Sequence, residues 1–443
     1  MAQIDQSRRR VLKQTASIGL FTILPSGLLS AAPNSRLQTA HVGVGGMGAA
    51  DLRSVSSHAS VAVCGLCDVD QARLKSANEL HSAAKTFSDY REMIAELGDQ
   101  IDAVVVSTPD HTHAPAAMTA LNAGKPVYCQ KPLTHTVFEA RQLRKMAKKA
   151  GVPTQMGVQG HSGAIYRKAV KIVQSGVLGP VSEVHAWSFK NWGDDRPELP
   201  NSEQAPANLD WNRWLGTAVE RDFVPSIYHP REWRKQIDFG TGTLGDMGIH
   251  IFDTPYTALQ LGSPLTVKTT CRNPTGIGHP EKNRVEYIFP GTKYTTNTLR
   301  WTWSDGAFAP PTPKRLGLPE DFELPNQGSY FVGERGSMLL PHIAEPRLFP
   351  EDAFVDYKMP NVEDGNHYHQ WVDACMGKGE TSASFSYAGP LTEALLLGVV
   401  ANRFPDTKLM WDAKNLQVTN VPEVNKLNLL RRTYREGFEI EGL

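Results

Sequence analysis

The sequence predicts an α/β protein of two domains. A parallel sheet covered by helices on both faces comes first, and an α/β domain with a large, mostly antiparallel sheet follows. Three observations lead there. Residues 37–156 alternate short apolar runs with amphipathic stretches, the pattern of buried parallel strands joined by helices. After Gly157 strands of alternating polarity appear, as expected where one face of a sheet is solvated. The length of 443 residues, 40% of them hydrophobic, suffices for two or three cores at about 150 residues per domain.

In the first domain, assigned to residues 37–156, strands are predicted at Thr39–Val44, Ser60–Cys67, Ala103–Ser107, Pro126–Cys129 and Pro153–Met156. Helices are predicted near Met47–Val55, Asp70–Ala83, His113–Asn122 and Thr136–Lys149. In the second, residues 157–443, a helix at Gly163–Ser175 precedes strands at Val181–Lys190, Leu265–Cys271, Arg284–Phe289, Thr295–Trp303, Ser329–Val332 and Ser337–Leu340. Helices at Asn366–Met376 and Pro390–Asn402 close the pattern. Two long irregular stretches, Trp192–Ile237 and Ala309–Gln327, interrupt it, and loops of that length in a compact domain are usually functional or flexible.

Residues 1–32 read as an address rather than as part of the fold. Ser7-Arg8-Arg9-Arg10-Val11-Leu12-Lys13 precedes an apolar stretch from Ala16 to Leu29 and the small residues Ser30-Ala31-Ala32. The paired arginines resemble a twin-arginine signal, which implies the twin-arginine translocase as an export partner and a periplasmic or otherwise exported destination. Such export carries folded proteins, consistent with a cofactor loaded beforehand. Without residues 1–32 the chain has 42 basic and 45 acidic residues, net −3. That balance argues against a nucleic-acid partner. Five cysteines rule out a disulfide scaffold.

Gly43-x-Gly45-x-x-Gly48 follows a predicted strand and opens a predicted helix. Glycines there let a backbone turn tightly and approach a pyrophosphate, with Gly46 and Met47 completing the loop. Asp68 ends the next strand, 20 residues after Gly48, where a carboxylate can accept both adenosine ribose hydroxyls and would repel a 2′-phosphate. The reading is a Rossmann domain for NAD in preference to NADP, the cofactor tightly bound. Cys64-x-x-Cys67 invites a zinc or redox reading, but residues i and i+3 of one strand face opposite ways. Ordinary buried cysteines are the better assignment, and no metal is expected.

The segments Ser107-Thr108-Pro109-Asp110-His111-Thr112-His113 and Gly124-Lys125-Pro126-Val127-Tyr128-Cys129-Gln130-Lys131-Pro132, taken with the glycine loop, resemble the Gfo/Idh/MocA oxidoreductases. The resemblance implies that Thr108, Pro109, His113, Gln130 and Lys131 border the cofactor and that Lys131 is catalytic. Gln130 stands where the family usually has Glu, so no charge at that position holds the lysine. It further implies that Asp246 and His250, in Gly240-Thr-Gly-Thr-Leu-Gly-Asp-Met-Gly-Ile-His250, face the nicotinamide. At a spacing of four they would share a helix face, with His250 taking a proton and Asp246 orienting it and binding a substrate hydroxyl.

On the substrate side, Trp192, Tyr228, His229, Arg231 and Trp233 form an aromatic and polar run suited to the faces and hydroxyls of a sugar, while Trp211 and Trp214 read as core. Gln159, just past the domain crossover, lies where relatives line the pocket, and so does His161. The resulting expectation is an NAD(P)-dependent oxidoreductase of a secondary alcohol in a sugar, glycoside or cyclitol, working as a homo-oligomer. Two alternatives stay open: a redox glycosidase that oxidises C3 transiently to allow elimination, and a non-catalytic sugar-binding protein on the same fold.

Overall fold

A computed structural model describes residues 36–443, so the signal-like segment 1–32 lies outside the described residues. The first domain carries strands β1 (Leu37–Val42), β2 (Val61–Cys67), β3 (Lys85–Phe87), β4 (Ala103–Val106), β5 (Val127–Cys129) and β6 (Thr154–Met156). They form one sheet in the order β3-β2-β1-β4-β5-β6. Every pairing is parallel. Helices α1 (Met47–Ser56), α2 (Gln71–Leu80), α3 (Tyr90–Leu97), α4 (Asp110–Asn122) and α5 (Val137–Ala150) connect them. Ala103–Val106 is buried at every position, which only a sheet covered on both faces requires. The strand order reverses between β1 and β4, and a crevice opens at the carboxyl ends of these strands.

The second domain begins with α6 (Ala164–Gln174), β7 (Val181–Ser188), the short helix α7 (Trp211–Leu215) and α8 (Ile249–Ala258). It continues through β8 (Thr266–Thr270), β9 (Asn283–Pro290), β10 (Thr295–Asp305), β11 (Gln327–Gly333), β12 (Ser337–Pro341) and β13 (Arg347–Phe349). Helices α9 (His367–Cys375) and α10 (Phe385–Ala401), strands β14 (Lys408–Asp412) and β15 (Gln417–Val418), and helix α11 (Pro422–Lys426) complete the chain. The sheet order is β13-β12-β11-β7-β10-β9-β8-β14-β15. All its neighbours are antiparallel except β7 and β10. Tyr287, Phe289, Trp301 and Trp303 fill the sheet's inner face against Phe252 of α8.

Packing does not follow chain order. Helix α9 leaves the second domain and lays Trp371, Val372 and Cys375 on Leu37, Val105 and Tyr128 of the first sheet. The long stretch 192–237 builds a small aromatic core of Trp214, Tyr228, Trp233 and Phe239. All five cysteines are free, and burial raises the thiol pKa of both Cys64 and Cys67.

Candidate functional site

A cleft of about 550 Å³ runs along the crevice between the domains. At one end the glycine loop links β1 to α1. Gly43 has φ +81°, and a Cβ there would stand 2.7 Å from the Ser107 carbonyl oxygen. A Cβ on Gly48 would collide with the Gly43 carbonyl, so Gly48 serves close packing and is absent from the cleft wall. Gly43, Gly45, Gly46 and Met47 do line the wall. This cradle, open at the N-terminus of α1, fits the pyrophosphate of a dinucleotide.

Asp68 lines the same end. Its carboxylate accepts the Val44 and Asp70 backbone N–H groups, each at 2.9 Å, which aims it into the cleft and leaves lone pairs for further donors. Burial raises its pKa. Arg73, which the sequence reading omitted, packs over Gly45. Thr108, Pro109, His113, Gln130 and Lys131 all border the cleft. The His113 ring nitrogens lie 2.8 Å from the Pro132 and Thr108 carbonyl oxygens. That fastens the corner carrying Lys131, whose bond to Pro132 is cis.

At the other end Lys131 meets Asp246 across the cleft. Its ammonium donates to Asp246 Oδ1 and to the Asp246 carbonyl, both at 2.9 Å. Arg234 Nε donates to the same Oδ1 at 3.2 Å. Burial alone would raise the Asp246 pKa, but Lys131 and Arg234 overcome it and hold the carboxyl well below the usual carboxylate range. The carboxylate therefore orients the lysine. No hydrogen bond joins Asp246 to His250, so the expected orienting role toward His250 is corrected. A spacing of four aligns two side chains only on a continuous α-helix, whereas Leu244–Gly248 is a π-turn and α8 starts at Ile249. His250 is half-buried behind the cleft wall, its ring centroid 5.7 Å from that of His342. Burial, then Lys131, holds its pKa well below the ordinary value, so the imidazole is neutral and able to accept a proton.

Trp192, His229, Arg231 and Trp233 line the cleft as expected. Arg231 and Arg234 sit over the Trp192 ring at 5.4 and 5.5 Å. Tyr228 does not reach the cleft. It is 1% exposed and packs on Trp211, Trp214 and Phe239, because its neighbours form a core of their own. Gln159 is also outside the wall: its amide donates to Tyr368 at 3.0 Å, drawn away by α9. His161 is bound to Asp253 at 2.9 Å. His229 is held by Asp70 at 3.0 Å.

Besides Arg73, three cleft residues that carry the geometry had not been singled out: Arg234, Lys190 and Asp110. The ammonium of Lys190, two residues past β7, has Met247 Sδ at 3.4 Å as its one hydrogen-bond contact among the described residues. Asp110 accepts a 2.7 Å hydrogen bond from Thr241, and burial pushes its pKa up to about 7. It sits inside the quoted Thr-Pro-Asp motif, so the signal was present but carried no cue to burial. Among the described residues no group of three or more His, Cys, Asp or Glu side chains is arranged to hold a metal ion.

Comparison with known proteins agrees with this fold. Residues 37–158 match the Gfo/Idh/MocA oxidoreductase family's NAD-binding Rossmann fold, and residues 162–276 match its C-terminal alpha/beta domain. Inositol 2-dehydrogenase of Salmonella typhimurium is 27% identical over 202 residues, spanning 44% of this chain and 59% of that protein. Inositol 2-dehydrogenase 2 of Saccharopolyspora erythraea is 31% identical over 180 residues, 39% of this chain and 52% of the relative. The chain thus spans little more than half the length of these curated relatives. Among solved structures, an inositol dehydrogenase homolog from Azotobacter vinelandii, complexed with NADH and myo-inositol, superposes with TM-score 0.57 at 15% identity over 85% of this chain and 98% of its own. The WlbA dehydrogenase of Bordetella pertussis, complexed with NADH and UDP-GlcNAcA, gives 0.58 at 16% identity, covering 85% and 99%.

Proposed function

Because the chain belongs to the Gfo/Idh/MocA oxidoreductase family, we propose that it is an NAD-dependent oxidoreductase acting on a secondary alcohol of a cyclitol, sugar or glycoside. The observation that carries the reading is the Lys131–Asp246 pair at 2.9 Å, facing the same cleft as the glycine cradle and Asp68. Gly43, Gly45, Gly46 and Asp68 would hold the dinucleotide. Bound NAD would supply the hydride acceptor for alcohol oxidation. The remaining work falls to this chain. Lys131 has three donors, and Asp246 takes two of them, leaving one N–H to steady a developing alkoxide. Neutral His250 is the proposed proton acceptor, reached directly or through one water once a substrate fills the cleft. Trp192, Arg231 and Lys190 are the proposed substrate-side contacts.

The test is to release nucleotide from the purified protein by denaturation, identify it, and screen myo-inositol, free sugars and aryl glycosides for NADH formation. Finding no nucleotide and no turnover would overturn the reading. The redox-glycosidase alternative predicts aglycone release without added oxidant. Export through the twin-arginine route belongs to the same proposal and rests on Arg8-Arg9 in their sequence setting. Replacing both with Lys should leave precursor in the cytoplasm, and normal export of that variant would remove the assignment.

A further inference from the structure

Gln130 leaves the residue before Lys131 without a negative charge, yet the corner does not lack one. Asp51 of α1, fully buried, faces the Gln130 side chain. Gln130 Nε2 donates to both Asp51 carboxylate oxygens, at 3.0 and 2.9 Å. Ser107 Oγ donates to Oδ2 at 2.6 Å, and the Tyr368 hydroxyl donates to Oδ1 at 2.8 Å. A carboxylate only accepts, so the Gln130 NH₂ must face Asp51. Its Oε1 then faces the other way and accepts the Lys131 backbone N–H at 3.2 Å. Asp51 stands on the glycine-loop helix, and the donors to its carboxylate come from the ends of β4 and β5 and from α9.

We infer that Asp51 is a positioning residue for Lys131. Its carboxylate fixes the Gln130 amide, and through it the main chain from which the lysine reaches across to Asp246. The charge absent at position 130 is supplied from position 51, across the Gln130 amide. This rests on the reading of Lys131 as the centre of the reaction. The titratable groups near Asp51 are Lys131, Tyr128, Tyr368 and Cys129. Burial pushes the Asp51 pKa up to about 6 against the pull of its hydrogen bonds and of Lys131. Protonated Asp51 cannot accept from every donor around it, so the corner loosens as pH falls through that value.

The experiment compares Asp51→Asn, Gln130→Glu and the double swap Asp51→Asn/Gln130→Glu in the full-length, NAD-loaded protein. Amide hydrogen exchange of the 128–134 segment reads the corner without reference to any substrate. Asp51→Asn should quicken it by about tenfold and the swap should restore it. Unchanged exchange in Asp51→Asn overturns the inference. With the alcohol returned by the screen above, Asp51→Asn should lower kcat by about tenfold or more, with KM and NADH affinity changed by no more than about threefold. The ratio of its kcat to that of the unaltered protein, about one tenth at pH 8, should rise toward one at pH 5, since asparagine resembles the protonated acid, and a ratio flat across that range overturns the part assigned to the Asp51 charge. The swap should recover kcat, and losses that merely add in the swap overturn the positioning role. If Asp51→Asn does not fold, folding of the swap supports the pairing and its failure overturns it. Lys131→Met separates the two claims: retained turnover there defeats the Lys131 reading, while the exchange result still decides whether Asp51 holds the corner.

Discussion

Lys131, Asp246 and Arg234 place two cations on one carboxylate oxygen, and this decides how single substitutions should read. Lys131→Met removes the one N–H left for a substrate oxygen, and His250→Ala removes the proposed proton acceptor. Each should lower kcat by about 100-fold, the usual scale for a positioned acid–base group, with NADH affinity nearly unchanged. Full activity in both, measured by NADH formation, would place the chemistry elsewhere. Asp110 gives a different prediction. Its folded pKa of about 7 lies above the ordinary carboxylate value, so the folded state favours the protonated form. The cost of ionising it inside the fold grows as pH rises from about 4 to 7 and is constant above that. Asp110→Asn, which keeps an acceptor for Thr241, should therefore gain on the unaltered protein in Tm by a few degrees between pH 4 and pH 8. A difference that stays flat across that range would show that Asp110 ionises freely.

At the scale of elements, helix α5 shows how the end of the chain secures the first domain. Thr136 and Glu139 form a capping box at its N-terminus. Glu139 Oε1 also accepts from Arg432 Nε at 2.8 Å and from the Tyr434 hydroxyl at 2.7 Å. Arg432→Met should cost about 2–3 kcal/mol in urea unfolding, below the full cost of breaking a buried pair because the cap and Tyr434 remain. A loss under about 0.5 kcal/mol would make the pair incidental. The regular elements were legible from periodicity, as in Val61–Cys67 against the expected Ser60–Cys67. What escaped lacked a periodic signal or depended on contacts far away in sequence. Strand β3 is three residues of an exposed edge, and the π-turn before α8 has no local signature. Tyr228 and Gln159 were misplaced because a local aromatic core and the docking of α9 decide where they point. The cofactor loop was readable because its glycines answer to backbone geometry, whereas Asp51 became visible only once α1 was set against β5.

At the scale of the molecule, the cleft is closed by contacts between distant segments: Lys131 to Asp246, Asp110 to Thr241, and Asp70 to His229. A ligand lying along it touches both sides and should stabilise the whole fold. With no affinity for the unfolded chain, NAD at 100 times its Kd adds about 2.7 kcal/mol. For a protein of this size that is a rise in Tm of several degrees after bound nucleotide has been stripped. NADP tests the electrostatics of the adenosine end. On the proposed reading a 2′-phosphate would be carried beside the Asp68 carboxylate, and Arg73 near Gly45 would supply the opposing attraction. Asp68 is held by two backbone N–H groups and cannot swing away, while Arg73 is drawn toward Asp70 at 3.4 Å. Repulsion from the fixed group should win. NADP at equal concentration should then raise Tm by less than half as much as NAD, and Asp68→Ala should narrow the gap by weakening NAD and admitting NADP. Equal shifts in the unaltered protein would mean that Arg73, and not Asp68, sets the preference.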